Sequence, residues 1–256
     1  MQNIQVVSFI IEGHPSYTGL PKNREKIFIE TINKSKADLI VFPGWTLNIK
    51  DIKKTVSKLT NKSTTIIFEN FSPHKYRSGN EMHIIENGNL LNTDMRQVFT
   101  EASEVNNNKS LVGEYVKELA TKRSFNLNKN KCLILSCGEN NILKNKQSDG
   151  NKVVFRLNNK SIENEFETIL ENTSFVINPI HTPMGNQGKI SKRREYFSND
   201  NRVYISTNNV LKKTSKSSHK LLTRKLIYVY KNSLEIPYIE QQINEKEDYV
   251  INTYIL

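Results

Sequence analysis

Three observations predict an α/β fold. Short apolar runs typical of strands alternate with segments whose apolar residues recur every three or four positions among charged ones. No internal repeat and no linker rich in Pro, Gly or Ser divides the 256 residues. Apolar residues make up 36% of the chain, which is enough for a substantial core. We therefore expect one domain over residues 1–256.

The strands are predicted from continuous or alternating apolar runs. They comprise 3–11, 37–43, 64–68, 82–85, 132–137, 174–178, 203–207, 226–230 and 249–254. Amphipathic spacing predicts helices over 23–35, 49–59 and 162–170, a helix end at 195–201, and amphipathic or irregular structure over 111–125.

Turn residues complete this outline. The Asn-Gly pair at 87–88 predicts a hairpin after the strand at 82–85. The polar stretch 144–160 carries a turn at 148–151 and apolar residues on its far side, which predicts an inserted hairpin.

Composition narrows the classes of function. The formal net charge is +11, which favours anionic partners such as nucleic acid, although a solvated basic surface explains it equally well. The first 11 residues lack the features of a signal peptide, and no apolar stretch approaches the ~18 residues of a membrane span. We therefore expect a cytoplasmic protein without a membrane partner.

The two cysteines, Cys132 and Cys137, lie five residues apart on one predicted strand, so their side chains should point to opposite faces. This spacing argues against a mutual disulfide and fits a reducing compartment. Neither belongs to a metal-binding spacing, so we expect no metal and no cofactor.

Six motifs, in order, resemble the nitrilase or carbon–nitrogen hydrolase superfamily. They are the segments 23–27, 37–43, 87–97, 133–139, 174–179 and 194–208. The resemblance covers roughly residues 3–210, and the C-terminal part, 211–256, is divergent. It implies a four-layer α-β-β-α sandwich that commonly pairs into dimers or larger assemblies, so we expect a homo-oligomer or a subunit of a larger assembly.

In this family a Glu acts as general base, a Lys stabilises the oxyanion and a Cys is the nucleophile. The resemblance assigns Cys137 to the nucleophile and Gly44 to the position of the base. The lysine position falls on Gln97, or on Arg96 if the register slips by one. Glycine cannot accept a proton, and the loss of a base or an oxyanion donor costs about 10²–10⁴ in rate.

Other residues are candidates for a rebuilt site. Glu139 and Glu69 each follow or end an apolar run and are candidate relocated bases, although a helix cap or a loop acid explains them as well. Trp45 and His181 are candidate pocket residues because they follow predicted strands, where α/β sites cluster. Cys137 itself is equally compatible with a buried structural thiol.

Two basic clusters are candidate anion-binding surfaces, on charge alone. The first contains Lys189, Lys192, Arg193 and Arg194, and the second contains Lys212, Lys213, Lys216, Lys220, Arg224 and Lys225.

Three functions therefore stay open. The first is a nitrilase-fold protein without amidase or nitrilase activity, acting as a binding or accessory module. The second is an active cysteine-dependent carbon–nitrogen hydrolase with a relocated base, in which Arg96 contacts the oxyanion. The third is a nucleic-acid-binding protein that uses a basic face.

Overall fold

The structure is a computed structural model that describes residues 1–72, 80–91, 94–183, 187–211 and 226–256. The second basic cluster, Lys212, Lys213, Lys216, Lys220, Arg224 and Lys225, lies outside the described residues.

Seventeen strands are defined within the described residues. They are β1 (Asn3–Ile11), β2 (Leu39–Val41), β3 (Thr65–Asn70), β4 (Glu81–Glu86), β5 (Asn89–Leu90), β6 (Met95–Arg96), β7 (Ser124–Leu127), β8 (Asn130–Ile134), β9 (Leu143–Lys146), β10 (Lys152–Phe155), β11 (Phe175–Pro179), β12 (Val203–Thr207), β13 (Val210–Leu211), β14 (Ile227–Lys231), β15 (Leu234–Glu235), β16 (Glu240–Asn244) and β17 (Tyr249–Ile255).

The described chain also forms seven α-helices. They are α1 (Pro15–Thr18), α2 (Arg24–Lys34), α3 (Ile52–Ser57), α4 (Ala102–Val105), α5 (Lys109–Ala120), α6 (Lys160–Glu171) and α7 (Gln187–Phe197). Asn108 and Asn159 cap α5 and α6 by accepting hydrogen bonds from the backbone N–H groups of Leu111 and Ile162.

The strands assemble into two main sheets. The first has nine strands, in the order β16-β17-β1-β2-β3-β4-β5, with β13 beside β1 and β6 beside β4. The second has six strands, in the order β15-β14-β12-β11-β8-β7. Each sheet has a parallel centre, formed by β1, β2 and β3 in the first and by β8, β11 and β12 in the second.

Three apolar clusters define four layers. One cluster joins the facing sides of the two sheets, with Ile4 and Val41 from the first and Ile134 and Ile205 from the second. A second packs α2 and α3 on the outside of the nine-stranded sheet. A third packs α5, α6 and α7 on the outside of the six-stranded sheet. The predicted α-β-β-α sandwich is confirmed.

The inserted hairpin is also present, because β9 and β10 pair as an antiparallel hairpin over 143–155.

The prediction for the strand that contains the two cysteines was wrong at its C-terminal end. The strand β8 ends at Ile134, so Cys137 lies three residues beyond it, in a turn. The alternation of side chains along a strand therefore does not apply to Cys132 and Cys137, although both are free thiols.

In the described part of the chain, no helix is both long and apolar enough to cross a bilayer.

Candidate active site

Loops from both sheets meet beyond the carboxyl ends of the parallel strands. Gly44 and Trp45 follow β2, Glu69 lies near the end of β3, Cys137 follows β8, and His181 follows β11. Because ligands bind beyond the carboxyl ends of parallel strands, this is where the fold favours a site.

Backbone hydrogen bonds hold the loops of Gly44 and His181 together. The Gly44 N–H donates to the carbonyl of Ile180 at 3.1 Å. The buried amide of Asn209 donates to the carbonyls of Gly44 and His181, at 2.6 and 2.8 Å. These bonds place the His181 imidazole beside the α-carbon of Gly44. A β-carbon at position 44 would lie 2.3 Å from Cδ2 of His181, so the ring occupies the space that a side chain there would need.

The carboxylate of Glu69 binds the His181 ring. The distances from Nε2 of His181 to the two carboxylate oxygens are 2.7 and 3.0 Å, and Glu69 is only 1% exposed. The same carboxylate accepts a hydrogen bond from the backbone N–H of Trp45 at 2.6 Å. Glu69 therefore fixes both the orientation of the imidazole and the loop that follows β2.

Trp45 covers one face of His181. The backbone of Trp45 is left-handed, with φ at 56°, and its indole stacks on the imidazole with centroids 4.3 Å apart and planes 3° apart. The ring is thus held by a stacked aromatic group and by a carboxylate, which leaves it little rotational freedom.

Cys137 and His181 line the same cavity, and Cys137 contributes to the pKa of the imidazole. Burial lowers the pKa of His181, but Glu69 and Cys137 outweigh burial and raise it to about 10. The site thus contains a thiol, an imidazole and a carboxylate that is bound to the imidazole. Groups of these three kinds activate serine and cysteine nucleophiles in unrelated hydrolases.

A sharp turn presents Cys137. Gly138 has φ at 82°, and a β-carbon there would lie 2.6 Å from the carbonyl oxygen of Thr100. Only glycine fits this close approach without strain. The amide of Gln97 donates to the carbonyl of Cys137, to the carbonyl of Phe99 at 3.1 Å and to Oγ1 of Thr100 at 3.0 Å.

Gln97 therefore holds the loop that carries Cys137. An amide nitrogen has two hydrogens, and three acceptors already surround them. To donate to an oxyanion through this nitrogen, Gln97 would have to break one of these hydrogen bonds. Its side chain instead stabilises the loop of Cys137.

The structure corrects two other predictions. Arg96 does not line the cavity next to Cys137, because its guanidinium forms ion pairs with Glu81 and Asp94. Glu139 is fully buried and forms an ion pair with Arg123 at 2.8 Å.

The Glu139 carboxylate also accepts hydrogen bonds from the backbone N–H groups of Val98 and Ser136 and from the hydroxyl of Tyr115. With its oxygens occupied by these donors, Glu139 supports the turn that carries Cys137 and is not placed to act as its base.

A cavity of 250 Å³ opens onto Cys137 and His181. Its described lining contains no Lys, Arg, Asp or Glu. It consists of His14, Ser16, Trp45, Phe71, Ser72, Asn80, Gln97, Thr100, Cys137, His181 and Thr182. This lining suits a small uncharged ligand. No group of His, Cys, Asp and Glu among the described residues is arranged to hold a metal ion.

The first basic cluster does not form an exposed patch. Arg193 is buried and donates to Asn141 and Asn145, at 2.8 and 3.1 Å. Arg194 is buried, with its guanidinium 3.5 Å from the ring centroid of Tyr228.

Lys192 forms an ion pair with Glu195 at 2.7 Å, and the backbone of Lys189 accepts a hydrogen bond from Asn145 of the inserted hairpin. Within the described residues, the cluster thus joins α7 to the hairpin and to the second sheet, and its two arginines are not available to a polyanion.

These features define an α-β-β-α sandwich with a cysteine, a histidine and a glutamate at its strand ends. No protein-family profile matches the sequence, and no curated protein matches it significantly. Solved structures do match.

One is a carbon–nitrogen hydrolase superfamily protein from Xanthomonas campestris, with an arsenic adduct in its active site. It is 11% identical, with a TM-score of 0.53 over 98% of this chain and 89% of that chain. An amidase of the nitrilase superfamily from Nesterenkonia is 6% identical, with a TM-score of 0.53 over 99% and 91%. Nit3 from Saccharomyces cerevisiae, of branch 10 of the superfamily, is 11% identical, with a TM-score of 0.50 over 98% and 90%. The chain therefore has the fold of the nitrilase superfamily.

Sequence reasoning proposed Glu69 as a base for Cys137 and selected His181 as a pocket residue, but it did not connect His181 with either of them. It also missed His14, which lies in the loop after β1 and lines the same cavity. One signal was available. A glycine at the position of a catalytic side chain leaves a space, and a histidine on a neighbouring strand-end loop is a residue that can fill it and replace the lost base.

Proposed function

We propose that this protein is a cysteine-dependent hydrolase of small uncharged amides, in which His181 replaces the base missing at Gly44. The observation that carries the proposal is the His181 imidazole, which Glu69 holds in the space beside Gly44, in the wall of the cavity that Cys137 also lines. It favours the active alternative over an inactive accessory module.

In the proposed reaction, the Cys137 thiol gives its proton to His181, and the carboxylate of Glu69 offsets the charge that forms on the ring. The sulfur attacks the amide carbon, and the carbonyl electron pair moves onto oxygen. Collapse of this intermediate breaks the carbon–nitrogen bond, and the leaving nitrogen takes the proton from His181. Water, deprotonated by His181, then attacks the thioester, which releases a carboxylic acid and restores the thiol.

The cavity supports the substrate class. A volume of 250 Å³ accommodates a small acyl group, and a described lining without Lys, Arg, Asp or Glu favours an uncharged one. An aliphatic or aromatic primary amide fits these constraints better than an amino-acid amide.

The test is hydrolysis of a panel of primary amides by the purified protein, with ammonia release as the readout. Cys137→Ala should abolish turnover, and His181→Gln should reduce it by about 10²–10⁴. Lys160→Ala is the control, because that side chain is exposed on α6 and far along the chain from the cavity loops. Ammonia release that survives Cys137→Ala would contradict the proposal.

A further inference from the structure

A hydrolase of this kind needs a hydrogen-bond donor for the oxygen of the attacked carbonyl. Negative charge develops there as the sulfur adds, and a fixed donor typically contributes 10²–10³ in rate. In the family that the sequence resembles, a lysine stabilises this oxygen, and its position is taken here by Gln97. The amide hydrogens of Gln97 already donate to Cys137, Phe99 and Thr100. His181 is bound to Glu69 and is the proposed base. The donor must therefore come from elsewhere in the cavity wall.

His14 has a fixed orientation in that wall. Its Nδ1 accepts a hydrogen bond from the backbone N–H of Ser16 at 3.2 Å. In a neutral imidazole one nitrogen accepts and the other carries the hydrogen, so this bond assigns the hydrogen to Nε2. The ring packs edge-on against Trp45, with centroids 4.6 Å apart and planes 68° apart. His14 thus carries a donor on a ring whose position is set by Trp45 and by the start of α1.

Charge favours the neutral form of this ring. Partial burial lowers the pKa of His14, and the positive charge of nearby His181 lowers it further. A neutral His14 offers an N–H group to the substrate without placing a second cation beside the His181 imidazolium. The indole of Trp45 contacts both rings, with its centroid 4.3 Å from that of His181 and 4.6 Å from that of His14, and both histidines line the cavity that contains Cys137.

We propose that Nε2–H of His14 donates a hydrogen bond to the carbonyl oxygen of the substrate and stabilises the tetrahedral intermediate formed on Cys137. This inference rests on the proposed function. It assigns His14 a catalytic role that complements His181, since one histidine moves the proton and the other holds the oxygen.

Two probes of Cys137 separate this role from activation of the thiol. Iodoacetamide forms a carbon–sulfur bond and expels iodide, so no charge develops on a carbonyl oxygen at the reacting carbon. The thiol adds to the C=O bond of propanal and forms a hemithioacetal. Sulfur bonds to carbon, the carbonyl electron pair moves to oxygen, and that oxygen receives the thiol proton through His181. The affinity for propanal is read from its protection of Cys137 against iodoacetamide, in the full chain.

We expect His14→Phe to keep the rate of alkylation within about twofold and to weaken protection by propanal by about three- to tenfold, because one hydrogen bond to the oxygen of the adduct is lost. His14→Gln should restore most of the protection, because its amide nitrogen reaches about as far as Nε2. If His14→Phe unfolds the protein, His14→Asn replaces it, since its side-chain oxygen still accepts from Ser16 and it lacks a donor at Nε2.

The outcomes separate the two proposals. Wild-type Cys137 that reacts with iodoacetamide no faster than in the urea-unfolded chain overturns the proposed function, and the inference with it. Fast alkylation together with unchanged protection in His14→Phe overturns the role of His14 alone. An equal loss of alkylation and protection in that variant also overturns it, because His14 would then act on the thiol.

Discussion

The replacement of Gly44 by alanine tests whether the glycine makes room for the catalytic histidine. The new β-carbon would lie 2.3 Å from Cδ2 of His181, whereas ordinary contacts begin at 3.4 Å. The ring must therefore move by about 1 Å, and a displacement of that size in a catalytic group costs about 10²-fold in rate. The backbone nitrogen of His181, at 3.1 Å, limits how far the loop can yield.

The rate of Cys137 alkylation and the rate of amide hydrolysis should both fall in Gly44→Ala. Overpacking should also lower the free energy of unfolding by about 1–3 kcal/mol, measured by urea titration. Gly113→Ala is the matched control. Its β-carbon would meet only Cδ1 of Ile162, at 3.6 Å, on the helix α5, and alanine there should raise the free energy of unfolding by about 0.5–1 kcal/mol. Unchanged alkylation and hydrolysis in Gly44→Ala would refute the reasoning.

Three further predictions concern the buried charges. The pKa of His181 is about 10 in the folded chain and ~6.5 in the unfolded chain, so its contribution to stability is fully present below pH 6.5 and is lost as the pH rises to 10. The difference in unfolding free energy between wild type and His181→Gln should shrink over this range by at most about 1.4 kcal/mol per pH unit, and a constant difference would contradict the ion pair. Glu69→Gln should slow alkylation of Cys137 about tenfold or more, because His181 loses the charge that holds its proton; an unchanged rate would exclude that role. Glu139→Gln should lower the unfolding free energy by about 3–5 kcal/mol, since the buried guanidinium of Arg123 then keeps only the partly exposed Glu118 as an ion-pair partner. Glu118→Gln should cost less than about 1 kcal/mol, and equal losses would argue against a special role for the buried pair.

The elements that the sequence predicted well are those whose signal is local. The strand β1 and the helix α2 have periodic apolar residues that become buried, so their periodicity predicts them. The strand β16 was missed. Its residues, Glu240–Asn244, are mostly exposed and polar, and it exists because it pairs with β17. The strand β7 was also missed, and only its first two residues fall in the segment 111–125 that was predicted as amphipathic or irregular.

The site was harder to predict because its contacts are distant in sequence. Glu69 and His181 are separated by 112 residues, and no local pattern shows that they touch. Gly44 was interpreted as the loss of a base, yet its missing side chain is what admits the imidazole. Arg193 and Arg194 were interpreted as surface charges, because a sequence shows that a residue is charged but not that asparagine side chains or an aromatic ring surround it.

The most direct test of the relocated base is the rate at which iodoacetamide alkylates Cys137 at pH 7, in wild type and in His181→Gln. Cys132 is an internal reference, because it is fully buried and burial raises its pKa to about 12. Peptide mass spectrometry separates the two thiols. The proposed arrangement predicts that Cys137 reacts faster in the folded wild type than in the urea-unfolded chain, and that His181→Gln removes this advantage. Equal rates at Cys137 in folded wild type, folded His181→Gln and unfolded chain would contradict it.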